Sequence, residues 1–453
     1  MRVGRAGAVL VVGFSMLVGT GCDRGDKESD GKSASESQAE KCGLEGGGQC
    51  APESKRVDRG EPVFSRPTEI TNPLFPTATL TQVIQLGEEA GGQVRVEATL
   101  MPGTKVIDWD GTKVETVIRQ FIAYSGPRIV EVALDYFAQA DDGSVWYFGE
   151  DVFNYQDGVV ADMDGTWLAG KDGPAGMIMP AQPKPGDVYR PENIPGLVFE
   201  EVTVQAVGQT IEGPRGPVSG AIATREHLME GDFEDKAFAP GYGESRIQAG
   251  DESVQVALAL PTDAVPGAPA AELRALSTGA VTIFEAAEQS DWTAASTALE
   301  TVSTAWHTYE ATEVPELLGT QAGAAINGLS DAVGANNVAA ARQAAVDLVR
   351  AALDLELRHR APAEVDGDRL GAWGRQILVD SEAGDAAAVA GDVAIVETIR
   401  NRMVHTLDAP VAERLGQILT TLRQAADAKD RAAAAEAAPA LVALVAGLGS
   451  PSG

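Results

Sequence analysis

The chain is poor in histidine (4), cysteine (3) and basic residues, with 35 Lys and Arg against 66 Asp and Glu in 453 residues. The basic shortfall excludes a nucleic-acid binder, because a polyanion is held by clustered Lys and Arg and a formal charge of -31 repels it. Anionic membrane surfaces are disfavoured for the same reason. All three cysteines, Cys22, Cys42 and Cys50, lie in the first fifty residues, so the rest of the chain has neither thiol chemistry nor a cysteine zinc site. No G-x-S-x-G elbow, phosphate loop or H-E-x-x-H occurs, which removes the local signatures of many hydrolases, nucleotide-binding enzymes and zinc proteases. His227 and His405 have no Ser or Cys partner legible from sequence order, and no catalytic residue is assigned.

The acidic excess belongs to the body, since residues 61–453 hold about -31. A solvated surface of that charge repels itself and keeps an exported protein soluble; the functional counterpart is capture of divalent cations.

Arg2 and Arg5 precede an apolar stretch over residues 6–18, which ends in Gly19-Thr20-Gly21 and Cys22. A basic start, a short apolar run and small residues make an export signal over residues 1–21, too short to span a bilayer. Small residues directly before a cysteine resemble a lipobox, the bacterial lipoprotein signal. That resemblance implies that Cys22 becomes the lipidated N-terminus of an exported lipoprotein anchored in a membrane of the bacterial cell envelope. Plain secretion is the alternative.

Residues 22–60 are rich in Ser, Gly, Glu, Lys and Asp and can bury little apolar area, so they read as a disordered tether. Within them Cys42 and Cys50 are an even pair, and oxidising surroundings make a local disulfide the expectation.

Residues 61–262 hold 18 of the 24 aromatic residues, with much Val and Ile and frequent Gly and Pro punctuation. That composition predicts strands near 79–86, 93–100, 113–123, 128–139, 144–155, 158–163, 198–207, 218–229, 233–239, 242–248 and 253–259. Asp142-Gly143 between alternating apolar runs is the strongest hairpin signal. With no helical stretch between the strands, the domain is an antiparallel β-meander, either an open barrel or a sandwich. The segment 170–195, with its prolines, reads as a long irregular excursion whose Met177, Ile178 and Met179 tuck beneath it and close one mouth of the sheet, or else as a lid over a ligand.

The motifs NPLFP (72–76), DYFAQADDGSVWYFGED (135–151), GTWLAGKDGPAGMIMPAQPKPGDVYRPE (165–192) and FAPGYG (238–243) occur in that order. Together they resemble an uncharacterised family of bacterial exported proteins and lipoproteins. The resemblance implies location and a β-rich fold and brings no established activity.

Two copies of D-x-D-G-T, at Asp108, Asp110 and at Asp162, Asp164, overlap part of a calcium loop. Neither copy has the third ligand or the distal Glu that a complete loop requires, and Asp-Gly is also what a tight hairpin needs. Glu150 and Asp151 could pair as acid and base only if they converged, and neighbouring strand residues point to opposite faces.

After residues 261–269 alanine dominates and the period becomes helical. Residues 268–447 read as an all-α domain of antiparallel helical hairpins, eight helices packed as two four-helix bundles. Asp291, Asn336, Asp385 and Asp430 stand at the hairpin tips as N-caps, and Pro439 should kink or restart the last helix. His307 with Glu310, and Glu356 with His359, lie three apart on one helix face, the spacing by which carboxylate di-iron bundles hold metal. The hairpins bearing H-x-x-E distantly resemble imelysin-like iron-uptake proteins, which implies a metal ligand role for those residues. So acidic a chain also places acids three residues from histidines by composition alone.

The fold expected is therefore α+β and multidomain. The function expected is that of a non-catalytic envelope protein, membrane-attached through its N-terminal lipid, that binds an unidentified ligand or protein partner and no nucleic acid. No cofactor is assigned apart from a possible divalent metal. The alternatives are a metal-binding protein or metalloenzyme built on the two His/Glu pairs, and an exported hydrolase assembled around residues 170–195.

Overall fold

The computed structural model describes residue 43 and residues 49–448. Period-two alternation with Gly-rich turns produces β1 (Gln82–Glu89), β2 (Gly92–Trp109), β3 (Thr112–Ser125), β4 (Arg128–Gln139), β5 (Val145–Gln156), β6 (Val159–Asp162), β7 (Trp167–Leu168), β8 (Gly176–Met179), β9 (Val188–Ile194), β10 (Val198–Gly213), β11 (Gly216–Leu228), β12 (Phe233–Ala239), β13 (Gly243–Ala249) and β14 (Glu252–Leu260). They form one fourteen-stranded sheet in the order β6-β5-β4-β3-β2-β1-β14-β13-β12-β11-β10-β9, with β7 and β8 paired to β5. Every ladder between named strands is antiparallel. Two six-strand meanders thus meet where β1 pairs with β14. The ladder does not close, yet β8 joins β5 and lies against β9, which brings the two ends of the sheet together. At Gly176 a side chain is impossible, since a Cβ would sit 1.8 Å from the Pro191 carbonyl oxygen.

The stretch 170–195 is therefore not one irregular excursion. It supplies β8 and β9, and its prolines and glycines hide two short strands that the partners on either side impose. Met177 and Met179 are buried on β8, and Ile178 between them is half-buried.

Eight helices follow: α1 (Ala271–Glu288), α2 (Trp292–Glu310), α3 (Glu316–Gly334), α4 (Val338–Glu356), α5 (Pro362–Ala383), α6 (Ala386–Met403), α7 (Ala409–Asp427) and α8 (Arg431–Leu448). Asp291, Asp385 and Asp430 cap as expected, accepting from the amides of Ala294, Ala388 and Ala433 at 2.9–3.0 Å. The cap of α4 is Asn337 rather than Asn336. Asn336 takes the left-handed turn (φ 50°) and leaves the cap to its neighbour. Helix α8 continues through Pro439 without a break.

The two parts of the chain are packed face to face. Helices α1–α4 share a core with Ile84, Leu258 and Leu260, and α5–α8 share another with Ile122, Tyr124, Ile129 and Val132. These sheet residues lie on one face, with a bulge in β4 between Ile129 and Val132 restoring the alternation, so that face of the sheet is given over to the helices.

Charge is buried at this junction as well. Arg95 forks onto Asp354 at 2.7 and 2.9 Å and reaches Glu97 at 3.0 Å. Arg369 binds Asp354 at 2.7 Å and Asp366 at 3.0 Å, and Arg402 binds Asp366 at 2.7 Å and Glu97 at 2.8 Å. Three guanidinium groups meet three carboxylates across β2, α4, α5 and α6, so the cluster is neutral and its bidentate geometry is well satisfied. Burial alone would raise Glu97 and Asp354. The surrounding arginines overcome it and hold both below their ordinary values.

The tether expected through residue 60 does not extend over residues 49–60. Val57 donates to the Val188 carbonyl at 2.8 Å, Ala51 donates to Glu201 at 2.6 Å, and Asp58 accepts from the Arg190 amide at 3.0 Å while pairing with Arg56 at 2.6 Å. These polar contacts order an apolar-poor segment along the free edge of β9. Further upstream, Gly43 packs directly on the Phe199 ring.

Replacing Arg402 with Met leaves Glu97 and Asp366 short of a partner, and urea unfolding should show a loss of about 3–5 kcal/mol. Replacing Arg225, whose pair with Asp235 is half exposed, should leave the urea midpoint almost unchanged.

Candidate functional site

The other face of the sheet is where charge is left unbalanced. Along β10, Glu200 is in phase with Val198, Val202 and Val204. Along β11, Glu226 is in phase with Ile222 and Leu228. Along β12, Glu234 and Lys236 are in phase with Phe238, and along β14, Glu252 is in phase with Val254 and Val256. Period-two geometry carries each of them into the interior. Glu150, Glu192, Glu200, Glu226, Glu234 and Glu252 are each at most 5% exposed.

Pairing register sets acid against acid. Glu200 lies opposite Glu192, Glu226 opposite Glu234, and Asp135 opposite Glu150, an arrangement that is unfavourable if both members are ionised. One ammonium is buried among them: Lys236 lies 2.6 Å from Glu226, 3.3 Å from Glu234 and 3.6 Å from Glu244. Burial alone would lower its pKa, but these carboxylates and Glu200 hold it well above the usual lysine value.

Glu150 and Glu192 come from strands at opposite ends of the sheet order and share one interior, where their charges repel. The indole of Trp167 on β7 donates to Glu192 at 2.8 Å. Gly149 permits this arrangement, since a Cβ there would sit 2.2 Å from the Trp167 carbonyl oxygen. Beside the pair, Tyr147 donates to half-buried Asp135 at 3.1 Å.

Desolvation is the largest influence on Glu150, Asp135, Glu192, Glu200, Glu226 and Glu252. It raises Glu150 well above the carboxylate range, with Glu192, Asp135 and Glu131 adding repulsion. It brings Asp135 and Glu192 to about 7, against hydrogen bonds from Tyr147 and Trp167 that pull them down. Glu200, Glu226 and Glu252 are pushed up to about 8. The chemistry open to this array at neutral pH is proton binding.

The residues singled out in the sequence lie elsewhere. His307 and Glu310 pair at 3.1 Å on the exposed face of α2, with the imidazole 89% exposed. Glu356 is buried but is bound by Arg360 at 2.6 Å, and burial lowers His359. The two His/Glu pairs do not make a metal centre, since among the described residues no three His, Cys, Asp or Glu side chains converge in a way that could hold an ion. The same holds for the calcium reading of Asp108, Asp110, Asp162 and Asp164. Asp108 accepts from the Gly111 amide at 3.1 Å and Asp110 takes φ 51° in the β2–β3 turn, while Asp162 accepts from Asn154 at 2.6 Å and from the Asp164 amide at 3.1 Å. These aspartates shape turns. Glu150 and Asp151 diverge as alternation requires, with Asp151 paired to Lys105 at 3.2 Å. Cys22 and Cys42 lie outside the described residues, and Cys50 is disulfide-bonded.

Titratable groups do converge beneath the segment proposed for a hydrolase, but Glu150 and Glu192 are 3% and 2% exposed, so no substrate reaches them in this conformation. Open grooves of about 560 Å³ lie on the helices instead, one between α1 and α2 and one at the tip formed by α5, α7 and α8. The interior acids carried one sequence signal, a Glu at the inward register of an otherwise apolar alternation. Comparison with family models, with curated proteins and with solved structures returns no match.

These acids bind protons in the folded chain that the unfolded chain has released above about pH 4. Their contribution to stability is complete below that point and is lost as the pH rises through 7 to 8, at about 1.4 kcal/mol per pH unit for each proton. Chemical denaturation should therefore give a larger unfolding free energy at pH 5 than at pH 8, and Glu200→Gln should narrow the gap. Equal stability at the two pH values would show that these carboxyls are ionised when buried.

Proposed function

We propose that the chain is an exported protein of the bacterial cell envelope, anchored through lipid on Cys22, that binds a ligand or protein partner and catalyses no reaction. The observation that carries the reading is the disulfide at Cys50, because such bonds persist in compartments outside the reducing cytoplasm. It agrees with the export signal and small-residue-cysteine junction of residues 1–22, and with the resemblance to exported lipoproteins. Among the described residues no helix is long and apolar enough to cross a membrane, so in this reading the lipid supplies the attachment. Binding is favoured over catalysis because the clustered acids face one another and not an opening.

Expression of the full-length chain in a bacterium fed labelled palmitate tests the anchor. Label should enter the wild-type protein and its membrane fraction and be lost from Cys22→Ser. A wild-type protein that stays unlabelled and soluble would contradict the assignment.

A further inference from the structure

We propose that Lys236 and Glu226 condense into an amide that cross-links β12 to β11, a self-formed bond between the lysine Nζ and the glutamate Cδ made with loss of one water. Nζ lies 2.6 Å from Glu226 Oε2, and the two side chains are 6% and 4% exposed. The contact is too bent to be a hydrogen bond, since that same oxygen is buried without a hydrogen-bond partner. An amine held this close to a carboxyl group, off the hydrogen-bond line and away from water, is placed for attack on the carbonyl carbon.

The strand register supplies both the proximity and a proton relay. Lys236 is directly opposite Thr224 and Glu226 directly opposite Glu234, so Lys236 and Glu226 are diagonal neighbours on the inward face, within reach for long side chains. Glu234, two residues before Lys236 on that face, is 2% exposed and 3.3 Å from Nζ, which is relay distance once the side chains move slightly. Tyr189 stands in the same cross-strand row as Glu226, with Val202 between them. Its hydroxyl is buried and has no partner, so a donor is left over in the row where the attacked carbonyl oxygen gains charge.

The step balances within the cluster. The carboxylates that hold Lys236 charged are also the acceptors of its proton: Glu234 takes it, and the lysine becomes a neutral amine. The ionic and neutral forms of the pair carry the same total charge, and a dry interior penalises the ionic one. The Nζ lone pair then bonds to Cδ of protonated Glu226. Glu234 gives its proton to the departing hydroxyl and takes the second proton from nitrogen, the Cδ–O bond breaks and water leaves. Nothing is oxidised or reduced. Placement within one chain is worth effective concentrations of roughly 10⁵–10⁸ M, and the product replaces a buried ion pair with a neutral amide. The reaction occurs once per chain and consumes its own residues, so no substrate is turned over.

Tryptic mapping of the purified full-length chain by mass spectrometry, after denaturation and reduction, reads the bond. The wild type should yield 226–246 as one peptide, lighter than its sequence by one water and uncut after Lys236, because trypsin does not cleave at an acylated lysine. Fragmentation should place the bond between Lys236 and Glu226. Lys236→Arg keeps the charge without the nucleophilic amine and should yield 226–236 at its full sequence mass. Glu234→Gln should lower the cross-linked fraction, and an unchanged fraction would overturn the relay. Wild-type peptides 226–236 and 237–246 at full mass, a bond mapped to another glutamate, or a water loss retained in Lys236→Arg would overturn the proposal. The wild-type map decides even if the variants do not fold.

Discussion

Charge enters a protein interior only if something neutralises it, and this sheet meets that constraint in two ways. On the face covered by helices, Arg95, Arg369 and Arg402 balance Glu97, Asp354 and Asp366 with direct bonds. On the opposite face six glutamates are buried in one interior with Lys236, Arg119 lies opposite Asp135, and burial pushes Glu150, Glu192, Glu200, Glu226 and Glu252 toward the protonated form. The first solution is indifferent to pH over the neutral range, whereas the second depends on it.

The two faces divide the work of the fold. The arginine cluster draws on β2, α4, α5 and α6, so strands and helices separated by some 260 to 300 residues become one packed body. Such a cluster gains little over an apolar core but is costly to break, which fixes the angle and register of helices on sheet. On the other side β8, paired to β5 and lying against β9, brings together the ends of a sheet that its ladder leaves unclosed. The docked residues 49–60 run along β9, the strand that carries Tyr189 and Glu192.

Much of the backbone was legible because alternation and turn residues act locally. Strands β4 and β12 fall on the residues expected, and the Asp142-Gly143 turn forms with Asp142 accepting from the Ser144 amide at 2.9 Å. The α+β order and the eight helices follow from the change of period after residue 260. Strands β8 and β9 were hidden because pairing from β5 and β10, not their own composition, makes them strands. The interior acids were hidden because a glutamate reads as a surface residue, and its burial is evident only when the phase of its strand is taken over its type. The His/Glu pairs show the opposite failure: residue types of the right chemistry at the right spacing were placed on faces that do not meet.

The central claim is that the folded chain stores protons at neutral pH, and the most direct measurement is the proton count on unfolding in weakly buffered solution at pH 7. Denaturant-induced unfolding should release several protons per chain, from Glu150, Glu200 and their neighbours. Release of none, or uptake from solution, would mean that the buried carboxyls are ionised in the folded protein and that something other than protons balances their charge.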